Sequence, residues 1–231
     1  VTLSTYASAA GITKVTVVAG NGNDVVNAAG MTTGVNIVGS TATGGNDTLT
    51  GGLGDDTFTF STTAGLETAD TLDGGAGSDT ISLDNSGGAV TAASLVVDDV
   101  AAASKIANVE KFVVKNANGG DTVGSEDADA ISVSFGDTAS TAALSTIVDG
   151  SVITDTNDIL TVNASAVLDA GFFTTFDIRG GAAADSLLGG NGADTISAGG
   201  GADAIDGGVG ADTLTGGSGA DQYTLVTGDS T

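Results

Sequence analysis

The chain of 231 residues has no cysteine, histidine, proline or tryptophan, and only 5 lysines and arginines. Each absence excludes a chemistry. Without cysteine there is no disulfide, thiolate nucleophile or sulfur-ligated zinc or iron site. Without histidine there is no Ser-His-Asp triad and no imidazole metal ligand. With 29 acidic residues and a net charge of −24, the chain repels phosphate backbones, and its scattered cations build no basic patch. Nucleic acid and anionic membrane are therefore poor partners. No apolar run approaches the roughly 20 residues of a membrane-spanning helix. The start VTLSTYASAAG lacks the basic residue and apolar block of a signal peptide. Its first residue, Val1, is what a fragment or a processed product would show.

What is present argues for short strands. Apolar residues make up 40% of the chain, enough for a core and too many for a disordered polyanion. Only Glu67, Glu110 and Glu126 among the acids are glutamate; the rest are aspartate. Aspartate and the 38 glycines are poor helix and strand formers. Mixed with valine, isoleucine, leucine and threonine, they point to strands separated by turns.

The turns repeat. From Gly180 the chain reads GGAAADSLL, GGNGADTIS, AGGGADAID, GGVGADTLT and GGSGADQYT, five nine-residue units in phase. Aspartate recurs at Asp185, Asp194, Asp203, Asp212 and Asp221, and Leu187, Ile196, Ile205, Leu214 and Tyr223 follow two places later. GGLGDDTFT (51–59) and GGAGSDTIS (74–82) are further copies. TGGNDTLT (43–50), ETADTLD (67–73) and AGNGNDVVN (19–27) are partial or close ones. A longer layout recurs in VTVVAGNGNDVV (15–26), VNIVGSTATGGNDTL (35–49), FVVKNANGGDTV (112–123) and FDIRGGAAADSL (176–187): an alternating strand, a turn, an aspartate, an apolar residue. Alternation with period two is the mark of a strand. ISVSFGDTAS (131–140) and LTVNASAVL (160–168) keep its strand part.

The nonapeptide GGxGxDxUx is a signature of calcium-binding parallel β-helices, and its positions have separate physical roles. Six residues turn, with glycines at positions two and four allowing positive φ and inward carbonyls. The sixth supplies a carboxylate, and the last three form a strand with residue U inside. Two units make one coil, so units n and n+2 stack. Asp185, Asp203 and Asp221 then line one edge and Asp194 and Asp212 the other, giving at least three inter-turn sites. Candidate ligands in the first block are Asp24, Asp47, Asp56, Asp70 and Asp79, with Gly52, Gly54, Gly75 and Gly77. In the last block Gly190, Gly192, Gly199, Gly201, Gly208, Gly210, Gly217 and Gly219 join the aspartates. The insertion between Thr59 and Gly65 leaves pairing in the first block open. An all-oxygen donor set suits calcium, which takes six to eight oxygens in flexible geometry; transition metals prefer nitrogen or sulfur. Stacked carboxylates lie roughly 5 Å apart, one strand spacing, so metal binding becomes folding energy. A loosened ion-free chain is the expectation. Extracellular modules bind calcium at roughly 10⁻⁴–10⁻³ M, so such a chain folds outside the cell.

These units resemble the RTX (repeats-in-toxin) family, most closely at 180–224, 51–59 and 74–82. The resemblance implies an all-β, right-handed parallel β-roll or β-helix with several calcium ions between its turns, export by type I secretion and a place outside the cell. ASAVLDAGFFTTFDIRGGAAADSLLGG (164–190) and IANVEKFVV (106–114) resemble calcium-dependent surface-layer proteins of Gram-negative bacteria, which share the poverty in Lys, Cys and His. Two departures stand out. Only LVTGDST follows the last repeat, so a type I signal is missing or lies elsewhere. Position one of the third unit is Ala198, which fits provided the backbone there needs no positive φ.

The expected organisation is an interrupted repeat block at 1–83, a less regular segment at 84–175 with a short helix around 99–105, and a β-roll at 176–231, read as one continuous solenoid. Its function is expected to be structural, a calcium-dependent segment of a surface layer or similar assembly. Self-association through solenoid ends or sides follows from that role, and cell-surface polysaccharide is a second candidate partner. The alternative is an adhesin stalk or carbohydrate-binding module. Membrane insertion is not expected, nor is an enzyme: a lyase site needs clusters of cations or tyrosine, and the chain has one arginine, Arg179, and two tyrosines, Tyr6 and Tyr223. GNGND (20–24) is a poor phosphate loop because a strand-like VVN follows it. Glu126, Asp127 and Asp129 read as ligands or solvated acids before they read as a glycosidase pair. Phe112, Phe172, Phe173, Phe176 and Tyr223 read as core or end caps.

Overall fold

The computed structural model describes residues 1–2, 15–19, 22–39, 46–60, 70–84, 93–97, 105–115, 130–135, 145–165 and 175–230. Among them every regular element is a strand. In chain order these are β1 (Val15–Val18), β2 (Val25–Asn27), β3 (Val35–Val38), β4 (Thr48–Thr50), β5 (Thr57–Phe60), β6 (Thr71–Asp73), β7 (Thr80–Asp84), β8 (Ala93–Val97), β9 (Lys105–Ala107) and β10 (Lys111–Lys115). There follow β11 (Ala130–Phe135), β12 (Ser145–Asp149), β13 (Ile159–Asn163), β14 (Thr175–Arg179), β15 (Ser186–Leu188), β16 (Thr195–Gly200), β17 (Ala204–Asp206), β18 (Thr213–Ser218) and β19 (Gln222–Thr224).

The chain forms two compact units, Val1–Asp84 with Ala101–Val113, and Asn85–Val100 with Val114–Thr231. In the first, one sheet runs β1-β3-β5-β7-β10 and the other β2-β4-β6-β9. In the second, one sheet runs β12-β14-β16-β18 and the other β8-β11-β13-β15-β17-β19. Strands next to each other in a sheet are two apart along most of the chain, and they pair in parallel. This is the all-β, parallel architecture of a β-roll. The helix expected around 99–105 lies outside the described residues except for Lys105, which opens β9. Phe172, Phe173, Tyr6, Glu126, Asp127 and Asp129 also lie outside them.

Alternation decides which side chains fill the coil. Parallel register stacks like upon like: Val17, Ile37, Phe58 and Ile81 in one column of the first unit, and Val26, Leu49 and Leu72 in the facing one. In the second unit Val148, Ile178, Ile196 and Leu214 stack, opposite Val162, Leu187 and Ile205. All of these are buried, and each is worth about 1.5–3 kcal/mol of hydrophobic stabilisation. A shift of one residue would turn the whole set outward, so the apolar columns fix the register that aligns the turns. Phe112 and Phe176 are core residues, whereas Tyr223, at the end of its column beside Ile205, is 38% exposed.

Candidate metal centre

The repeat aspartates sit where each turn enters a strand, and each carboxylate ties its turn to the one before. In the second unit Asp203 Oδ1 accepts the main-chain N–H of Asp185 at 2.8 Å, and Asp221 Oδ1 that of Asp203 at 3.2 Å. Asp212 Oδ1 accepts the Asp194 N–H at 2.8 Å. At the start of each column a strand residue donates instead: Leu160 to Asp185 and Phe176 to Asp194, both at 2.8 Å. The second oxygen folds back into its own turn: Gly181 N–H donates to Asp185 Oδ2 at 2.7 Å, and Gly190 N–H to Asp194 Oδ2 at 3.0 Å. Two columns result, Asp185-Asp203-Asp221 and Asp194-Asp212.

The first unit builds the same device with longer coils. Asp24 N–H donates to Asp47 Oδ1 at 2.9 Å and Asp47 N–H to Asp70 Oδ1 at 2.7 Å. Val35 N–H donates to Asp56 Oδ1 and Asp56 N–H to Asp79 Oδ1, both at 2.7 Å. Gly52 N–H also donates to Asp56 Oδ2. The columns are Asp24-Asp47-Asp70 and Asp56-Asp79. Stacked aspartates here are 23 residues apart, against 18 in the second unit.

These carboxylates are expensive to keep charged. Asp47, Asp56, Asp70, Asp79, Asp185, Asp194, Asp203 and Asp212 are each at most 4% exposed. The Oδ2 atoms of Asp79, Asp203 and Asp212 are buried with no hydrogen-bond partner. Burial pushes Asp79, Asp185 and Asp194 up to about 6, against the pull of the N–H groups they accept. It also raises Asp47, Asp56, Asp203 and Asp212. Stacking adds repulsion: Asp203 acts on Asp185, Asp212 on Asp194, and Asp70 and Asp24 on Asp47. An inserted cation would relieve both costs. The donors are oxygen only, and the orphaned Oδ2 atoms leave lone pairs for it, so the residues fit a hard ion such as calcium. Among the described residues no three carboxylates converge as a cluster. The geometry explains this: each repeat turn buries one aspartate, and the oxygens packed beside it include main-chain carbonyls of the stacked turn.

The glycines serve two purposes. Gly75, Gly77, Gly192, Gly199, Gly201, Gly208, Gly217 and Gly219 have positive φ, whereas Gly52, Gly54, Gly190 and Gly210 do not. At Gly208 φ is +89°, left-handed backbone that a side chain resists. At Gly210 the reason is space, because a Cβ would strike the Gly192 carbonyl oxygen of the stacked turn. Ala198 is fully buried and has no positive φ, which is why a methyl group is accepted at that position.

Three acids escape the nonapeptide pattern. Asp229 follows a shortened turn, with Ser230 bridged to Thr213. Its Oδ1 is buried without a partner, and its Oδ2 accepts the Val226 N–H at 2.8 Å. After burial, Asp229 is the main cause raising Asp212. The sequence signal was Gly228-Asp229, one residue early for the phase. Glu110 accepts the Asp79 N–H at 2.8 Å through Oε2, and Asp158 is 2% exposed in the turn before β13. On the surface Arg179 pairs with Asp177 at 2.5 Å and approaches Asp149 at 3.9 Å.

Residues 41–61, 64–85, 179–214, 188–223 and 198–230 match the model of the RTX calcium-binding nonapeptide repeat (4 copies). These segments are RTX repeats. Both columns of the second unit, and Asp47, Asp56, Asp70 and Asp79 of the first, fall within them. RTX repeats bind calcium and are typical of secreted proteins. No curated protein and no solved structure matches the chain. Among the described residues no helix is long and apolar enough to cross a membrane.

Proposed function

We propose that this chain is a calcium-dependent structural segment of an extracellular assembly, a bacterial surface layer or one built like it, exported by the type I route. One observation carries the reading: columns of buried carboxylates, some with orphaned oxygens, whose neighbours along the stack are further carboxylates. Asp185, Asp203 and Asp221 would hold ions along one edge and Asp194 and Asp212 along the other. Asp24, Asp47, Asp56, Asp70 and Asp79 would do so in the first unit, with turn carbonyls completing each shell. Calcium supplies the positive charge between turns. The chain supplies the register, because the apolar columns hold successive carboxylates in line. Folding is thereby coupled to the millimolar calcium found outside cells, and the ion-free chain keeps a loosened, less stable fold. Assembly with further copies uses the ends or sides of the coils, and cell-surface polysaccharide is the second partner proposed. No catalytic role is assigned.

Sedimentation velocity, titrated from chelator into millimolar calcium with magnesium as control, tests this. A sharp rise with calcium alone that continues to large species is expected. A rise that stops at a compact monomer would overturn assembly and favour a spacer or binding module. No change would overturn the calcium reading.

A further inference from the structure

The turn that follows the last repeat of the first unit is half the length of the one before it. Between β6 and β7 lie six residues, 74–79; between β9 and β10 lie three, Asn108, Val109 and Glu110. Yet the bonding pattern of a repeat is kept. Glu110 Oε2 accepts the Asp79 N–H at 2.8 Å, the place Asp79 Oδ1 takes for the Asp56 N–H. Lys111 N–H donates to the Asp79 carbonyl at 3.0 Å, as Thr80 N–H does to Asp56 at 2.9 Å. The extra methylene of glutamate spans what the shortened turn leaves open.

Two further observations point to a ligand. Asp79 is 1% exposed, and its Oδ2 has no hydrogen-bond partner. That oxygen shares its surroundings with a carbonyl: a Cβ on Gly74 would meet Asp79 Oδ2 at 2.5 Å and would also strike the Asn108 carbonyl oxygen. The same pairing recurs inside a repeat, where a Cβ on Gly189 would meet Asp194 Oδ2 at 2.5 Å and the Gly207 carbonyl oxygen. Asn108 is the one non-glycine residue with positive φ among those described, at 54°. Its Nδ2 donates to Asp73 Oδ1 at 2.7 Å, which holds the strained turn in place.

We propose that Glu110 and the Asn108 carbonyl, outside the nonapeptide repeats, complete a divalent-cation site with the repeat aspartate Asp79, which closes the Asp56-Asp79 column. It rests on the calcium reading above and extends it to residues that no repeat supplies. The donors are hard oxygens, two of them anionic, so the ion is calcium-like. Each carboxylate has about four lone-pair positions, so accepting one or two N–H bonds leaves capacity for it.

Equilibrium dialysis with calcium on the whole chain counts the ions. Glu110→Gln is expected to bind one ion fewer than the unmodified chain, while Asp177→Asn, which alters a surface acid paired with Arg179, keeps the full count. An unchanged count and affinity in Glu110→Gln would overturn this site alone. No binding by the unmodified chain would overturn the calcium reading itself. Should Glu110→Gln not fold, substoichiometric gadolinium on the unmodified chain decides the matter. Broadened amide signals at Asp79 and 108–111 are expected; sharp signals there, with repeat signals broadened, would refute the site.

Discussion

Asp194→Asn separates a structural acceptor from a cation ligand. Asp194 is 1% exposed, with Oδ1 accepting from Phe176 and Oδ2 from Gly190. An asparagine keeps one acceptor and turns its NH₂ toward the other N–H, a buried mismatch costing about 1–3 kcal/mol. It also removes a buried charge. Holding that carboxylate ionised at pH 7.5, against a pKa pushed up to about 6, costs the ion-free fold about 3 kcal/mol, at about 1.4 kcal/mol per tenfold. The two effects oppose each other in chelator. In calcium the balance shifts, because each ion held at a hundredfold excess over its Kd contributes about 2.7 kcal/mol, and the variant loses that share. For a chain of this size 1 kcal/mol moves Tm by roughly 2–4 °C. Calorimetric melts are therefore expected to show a variant unchanged or up to roughly 8 °C higher in chelator, and a rise in Tm on adding 10 mM calcium that is roughly 5–10 °C smaller than that of the unmodified chain. An equal rise in the two chains would refute the cation role and leave Asp194 a hydrogen-bond acceptor only.

Acid should partly replace calcium. Asp79, Asp185 and Asp194 are raised to about 6, against about 3.9 in an unfolded chain, so between those values the folded state binds more protons. Ion-free stability then falls as pH rises from 4 to 6, and melts in chelator should run higher at pH 4 than at pH 7.5. With calcium, the ion's contribution should shrink below pH 6 as protons compete for the carboxylates; a calcium effect independent of pH would contradict this. Two glycines with the same sign of φ should differ sharply. At Gly22, φ +101° with nothing within 4 Å of an added Cβ, alanine should cost about 1–2 kcal/mol. At Gly219, where the Cβ would strike the Gly201 carbonyl, chemical denaturation should show a loss several times larger, and similar losses would mean the stacked turns are not this close.

The second unit was readable because its period is strict. Five aspartates nine residues apart, each followed by an apolar residue two places on, place alternate units on alternate sheets. The columns Asp185-Asp203-Asp221 and Asp194-Asp212 follow from counting. The strand halves of the longer layout were equally plain, since VTVV, VNIV, FVVK and FDIR alternate and lie in β1, β3, β10 and β14. In the first unit counting failed. Insertions after Gly39 and Phe60 stretch each coil to 23 residues, and only the pairing of Val26, Leu49 and Leu72 shows that Asp24, Asp47 and Asp70 share a column.

The sequence by itself determined the chemistry and the local rule. A chain with oxygen as its only hard donor, glycine in its turns and alternating apolar strands can do little but coil and offer carboxylates to a cation. Tertiary structure decided which carboxylates meet. Parallel pairing is set by burial of the apolar columns, a non-local energy that tolerates turns of different length so long as the strands stay in register. Hence Glu110, in a turn of three residues, can stand where an aspartate would, and Asp229 can join Asp212 after a turn one residue short. No spacing rule contains either pairing, because both are fixed by the strands that flank them.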